Sequence, residues 1–135
     1  MLDTLKSYAW VGLGSVCGGM ARYWMSGLAN AKWGEQFPWG TIIINITGSF
    51  LIGSLSAMVL PEGRLTTSRI VVTQLLMYGL CGGFTTFSSF SLNTLTLARH
   101  GQWLWAFANV MISVAACLVA VWLGFMVGDM LNRIK

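Results

Sequence analysis

The chain has 135 residues, 56% hydrophobic and 9% charged, with a formal net charge of +4. Soluble domains carry roughly 25% charged residues, so this composition belongs to a membrane protein and leaves no room for a separate soluble domain. The basic residues are spread along the sequence with no cluster and no aromatic RNA-binding motif, which argues against nucleic acid as a partner.

The first apolar run, residues 7–21, continues past Arg22 to about Leu28. It can span a bilayer if Arg22 lies near one end and snorkels, or faces a wet cavity. Lys6, the apolar core and GGMA before Arg22 also have the pattern of a signal peptide, but three further spans follow directly, which favours a retained helix. Residues 36–61, 70–98 and 101–128 hold no charged residue, and each run exceeds the ~20 residues a helix needs to cross hydrocarbon. The expected architecture is one all-α transmembrane domain, 1–135, with spans at about 7–28, 38–60, 70–98 and 102–127.

Four spans place Lys6, Arg64, Arg69, Arg133 and Lys135 on one side of the membrane, against Arg22, Lys32 and Arg99 on the other. So weak a positive-inside bias leaves two alternatives open, a single orientation with both termini inside and dual insertion. Dual insertion would allow an antiparallel pair of copies, and small residues permit close packing: Gly14 and Gly18 form a GxxxG in the first span, and Gly48 and Gly53 expose backbone in the second.

The spans hold no Asp, Glu, Lys or His, which disfavours proton-coupled transport. No nucleophile is paired with a base and no two carboxylates are paired, so catalysis is disfavoured too. Cys17, Cys81 and Cys117 are odd in number, form no CxxC, and read as small buried thiols. The polar content is uncharged and patterned. Thr41, Asn45, Gly48 and Ser49 share one face of the second span, Asn109 and Ser113 are i and i+4 in the fourth, and residues 81–96 of the third hold eight hydroxyl or amide side chains.

Residues 79–94 read GLCGGFTTFSSFSLNT. As one helix, residues 70–98 would extend about 44 Å at ~1.5 Å per residue, beyond the ~30 Å hydrocarbon core. Gly82, Gly83, Thr85 and Thr86 fall near the middle of that run, and a break there releases carbonyls that a cation or a wet cavity can satisfy. Beyond it Phe87 and Phe90 are i and i+3, interleaved with Ser88, Ser89 and Ser91. Ring edges and hydroxyl donors can line an anion path without a fixed charge, although phenylalanines at this spacing equally suit plain core packing.

The stretch GGFTTFSSFS (82–91), together with PWGTIIINITGSFLIG (38–53) and GGMARYW (18–24), resembles the small bacterial fluoride channels, the Fluc family also called CrcB. The likeness covers essentially the whole chain, with Phe84 at a variable position. It implies four transmembrane helices with a broken third, assembled as an antiparallel, dual-topology homodimer in the bacterial inner membrane that exports fluoride passively. It further implies a structural Na+ at the dimer centre held by the carbonyls of Gly82 and Thr85. The pore residues it implies are Phe87, Phe90 and Asn45, with a hydroxyl track of Thr86, Ser88 and Ser89, a further donor at Ser113, and Arg22 in the vestibule. Asn109 joins this set by helical spacing alone. Two other classes compete. A small multidrug exporter would need a membrane-embedded glutamate in the first span, where residues 8–28 hold no acid, and a noncatalytic scaffold would leave the hydroxyls around Phe87 and Phe90 unexplained.

Overall fold

The computed structural model describes residues 2–61, 63, 65 and 68–134; among them there is no strand. Helix α1 runs Leu2–Trp33 and α2 Trp39–Met58. The third span starts as α3, Arg69–Val71, continues as a π-helix over Val72–Cys81, and ends its first half in the short α4, Gly82–Phe84. After two extended residues, α5 covers Phe87–Arg99 and α6 Trp103–Arg133.

Two glycines make the turns at one end of the bundle. Gly34 and Gly101 both have φ of 74°, and their N–H groups reach back to the carbonyls of Asn30 (2.9 Å) and Ala98 (3.0 Å). Only a residue without Cβ adopts this left-handed conformation cheaply, so α1 and α5 stop there. At this end Phe37, Ile42, Leu97 and Ala106 form a buried cluster, and the Phe37 ring meets Trp39 at 4.9 Å and Trp105 at 5.4 Å. The opposite end is tied by Gln74 Nε2 donating to Ser7 Oγ (2.9 Å) and Asn132 Nδ2 donating to the Ala57 carbonyl (3.0 Å). Successive spans therefore run up and down.

The bundle consists of two close pairs, α2 with α6 and α1 with the π-helix. Both seams are made by glycine. A Cβ on Gly14 or Gly18 would strike backbone atoms of Leu75, Gly79, Leu80 and Phe84, and one on Gly53 or Gly124 would strike the backbone of Val121 or Phe50. The small-residue stripes expected to suit a contact between copies are thus consumed within one chain.

Large apolar side chains point outward, among them Leu104, Leu118 and Trp122, while Asn109 (0% exposed), Ser113 (5%) and Thr86 (7%) lie inside. Hydrocarbon as solvent produces this arrangement, because apolar surface gains nothing by burial there while polar groups need partners. Three stretches, Trp39–Met58, Arg69–Arg99 and Trp103–Arg133, are long and apolar enough to cross a membrane. Helix α1 has the length, with 32 residues, but Lys6, Arg22, Lys32 and many small residues dilute its apolarity. Of the cysteines, Cys81 is buried, Cys117 half-buried and Cys17 exposed, so Cys17 departs from the buried thiol expected. Arg64 and Lys135, two of the charges behind the orientation argument, lie outside the described residues.

Candidate functional site in the broken third span

The break is two residues long. Thr85 (φ −80°, ψ 159°) and Thr86 (φ −152°, ψ 113°) are extended between α4 and α5. Thr85 closes the first half: its N–H and its hydroxyl both donate to the Cys81 carbonyl at 2.9 Å. Thr86 opens the second half as an N-cap, its Oγ1 accepting from Ser89 N–H at 3.1 Å, a role in which threonine is favoured.

The backbone of Thr86 itself would be stranded in an apolar setting, and Asn45 of α2 satisfies it from the side. Thr86 N–H donates to Asn45 Oδ1 at 2.8 Å, and Asn45 Nδ2 donates to the Thr86 carbonyl at 3.0 Å. One side-chain amide thus acts as a neighbouring strand would, pairing both polar groups of one extended residue. Gly48, one turn further along α2, leaves space for the Thr85 methyl group, which a Cβ there would strike.

The break buries the Thr86 hydroxyl. Thr86 Oγ1 lies 3.2 Å from Ser88 Oγ and donates to Ser89 Oγ at 3.0 Å. Phe87 and Phe90 stand together with centroids 5.3 Å apart and planes at 47°, and Phe87 is 78% exposed on the single chain. Both rings, with Asn45, Ser49, Thr86, Cys81, Cys117 and Ser113, line a cavity of about 440 Å³ that also reaches Gly82 and Thr85 and has no charged residue in its wall.

The expected site residues therefore divide into groups. Asn45, Thr86, Phe87, Phe90 and Ser113 meet around the one cavity, with Gly82 and Thr85 at its edge. Ser88 is exposed beside Thr86, and Ser89 faces a second cavity of about 400 Å³ shared with Ser26, Asn30, Glu35, Thr41, Asn93 and Thr96. Arg22 is half-buried and sits at the break, its Nη1 donating to the Thr85 carbonyl at 3.4 Å. Asn109 is a tie rather than a wall of the first cavity: its Nδ2 donates to Thr94 Oγ1 (2.8 Å), while Ser113 Oγ donates to its Oδ1 (3.4 Å), joining α6 to α5.

Sequence reasoning missed the second cavity. Its link across helices, Asn93 Nδ2 donating to Thr41 Oγ1 at 2.9 Å, joins two residues already noted on polar faces, but no spacing within one helix reveals a pairing between helices. The two cysteines in the first cavity were equally hidden, since residue type alone does not distinguish a core thiol from a wall thiol.

Comparison with known proteins places these features in a family. Residues 9–125 match the model of the family described as "CrcB-like protein, Camphor Resistance (CrcB)". A protein of Rhodospirillum rubrum named fluoride-specific ion channel FluC is 49% identical over 127 residues, covering 94% of this chain and 98% of its own length. A protein of the same name from Methylocella silvestris is 48% identical over 131 residues (95% and 97%), and one from Opitutus terrae 46% over 134 residues (97% and 98%). With a match of this extent and relatives this similar along nearly their whole length, the chain belongs to the CrcB-like family.

Proposed function

We propose that this chain forms a fluoride-selective channel that lets cytoplasmic F- leave passively, protecting the cell against fluoride, and that it is not an enzyme. The observation that carries this reading is the charge-free cavity at the break, where hydroxyls and the Phe87 and Phe90 rings stand around a backbone held open by Asn45. An anion crossing it meets donors and positive ring edges but no cation to trap it. Phe87 and Phe90 supply the ring edges, Asn45, Thr86, Ser88, Ser89 and Ser113 the polar atoms, and Arg22 the positive charge near the break. The relatives' names, fluoride-specific ion channel, support the choice of anion.

In this reading α1 is a fourth span and the working unit is an antiparallel, dual-topology homodimer in the bacterial inner membrane. Exposure supports the dimer: Phe87 and Gly82 lie on the surface of one chain, at a cavity whose open side a second copy would close.

A structural Na+ fits the same break. In a continuous α-helix the Gly82 and Thr85 carbonyls would accept from the N–H groups of Thr86 and Ser89. Those two donors go instead to Asn45 Oδ1 and Thr86 Oγ1, so both carbonyl oxygens lose their helical partners. Thr85 retains a long bond from Arg22, and Gly82 is exposed. Two carbonyls from each of two copies would hold the cation, which when bound supplies positive charge that cross-links the breaks.

The test is efflux from proteoliposomes holding purified protein, followed in parallel with fluoride and chloride electrodes. Rapid protein-dependent fluoride release with little chloride release is expected. Absence of fluoride release from protein verified as folded and dimeric would overturn the channel reading.

A further inference from the structure

The walls of the two cavities meet at one hydrogen bond. Thr86 lines the charge-free cavity, Ser89 lines the polar one, and Thr86 Oγ1 donates to Ser89 Oγ at 3.0 Å. From Ser89 the polar wall runs along α5 through Asn93 and Thr96 towards the end of the bundle where α1 turns into α2. There the wall contains its single charged residue, Glu35, in the connector between those helices.

Glu35 is held at this place. Asn30 Nδ2, from the last turn of α1, donates to Glu35 Oε1 at 3.4 Å, and Asn30 lines the same cavity. The cations at this end are Lys32, whose Nζ lies 4.8 Å from the centre of the Trp33 ring, and Arg99. His100 also lies here, its Nδ1 2.8 Å from the Thr96 carbonyl. Among the described residues, none of these forms an ion pair with Glu35. The carboxylate therefore faces the cavity without a neutralising partner.

The geometry points to Glu35 as an access-determining residue: the polar cavity is the mouth through which anions reach the hydroxyls, and the Glu35 carboxylate at its rim slows their uptake. This rests on the channel reading, since it assigns one mouth of that pathway. A full negative charge several ångströms from a passing anion in water changes its local concentration, and hence the rate, by about two- to fourfold. Salt removes the effect, since the Debye length falls from ~30 Å at 0.01 M to ~3 Å at 1 M.

The test is fluoride efflux from proteoliposomes at low and high ionic strength for the wild-type chain, Glu35→Gln, Glu35→Lys and Glu35→Asp. Because Glu35 is exposed in a connector, these variants keep the bundle intact, which gel filtration verifies. At low ionic strength the expected flux is about two- to fourfold above wild type for Gln, higher for Lys and near wild type for Asp, with the differences vanishing at high salt. Equal flux in all four proteins at low salt, or a loss of flux in both Gln and Lys, would overturn the role of Glu35 while leaving the channel reading in place. Absence of flux in the wild type would overturn the channel reading itself.

Discussion

Asn45 commits both edges of its amide to Thr86, and this decides what can replace it. Aspartate has nearly the same shape but no donor, so Asn45→Asp would set a carboxylate oxygen against the Thr86 carbonyl, within an otherwise charge-free wall. Alanine would leave both backbone groups of Thr86 unpartnered, at a cost of about 1–3 kcal/mol for each group left unsatisfied. Both variants are expected to lower the thermal midpoint in detergent and to abolish fluoride efflux; unchanged flux in either would remove Asn45 from the pathway. Phe87→Ile and Phe90→Ile keep apolar volume and lose the ring edges. A flux at least tenfold lower is expected in each, with dimer and thermal midpoint close to wild type, and normal flux in both would show that the rings only pack. At this scale the sequence shows which residues carry usable chemistry, the Phe pair and the hydroxyls beside it, and the structure sets both rings on one cavity wall. The sequence could not decide the place of Asn109, which spacing alone set among the pore residues, because the i,i+4 relation to Ser113 is the same whether Asn109 lines a cavity or ties α6 to Thr94.

At the scale of elements, the seam between α1 and the π-helix is a tight constraint on the fold. Gly14 and Gly18 lie against backbone, which cannot move aside as a flexible side chain can. Gly14→Val and Gly18→Val are therefore expected to destabilise by more than the ~1–3 kcal/mol usual for overpacking, seen as lost monodispersity in gel filtration. Gly12→Ala and Gly19→Ala, where a Cβ meets nothing within 4 Å, should behave as wild type and control for helix propensity. Tolerance of valine at both seam positions would mean that α1 packs elsewhere. The GxxxG was legible as a close-packing signal, but its partner was not, because the motif states only that some backbone comes near. The break was legible for a stronger reason: a span too long for hydrocarbon, with two glycines and two threonines near its middle, has few ways to remain straight. Nothing in residues 72–81 announces a π-helix, since i→i+5 bonding leaves no periodic mark in so short a segment.

For the whole molecule, polar groups lie inside and large apolar groups outside, and the exposed Phe87 and Gly82 beside the break mark where the proposed second copy would sit. If the Gly82 and Thr85 carbonyls bind sodium between two copies, exchange into sodium-free potassium buffer should shift the detergent-solubilised protein from dimer to monomer in light scattering, with recovery when sodium returns. A dimer that persists without sodium would show that these carbonyls do not hold the assembly together. Arg22 offers a control, because its guanidinium competes for the Thr85 oxygen; Arg22→Gln is expected to lower the sodium concentration needed for dimerisation. Membrane character followed from the uncharged runs, three of which recur as stretches long and apolar enough to cross a membrane. Partner number did not, because an apolar outer face suits a second copy as well as it suits lipid.

The Asn45 clasp also has a consequence for biogenesis. Residues 39–58 leave the ribosome before residues 69–99, so the amide that secures the break is already in place when the glycines and threonines arrive. The third span therefore enters the bilayer with a partner for the Thr86 backbone at hand, so its break need not face hydrocarbon unpaired. Synthesised without α2, the same residues would leave both polar groups of Thr86 without that partner. Chain order thus sets the clasp in place before the residues it secures.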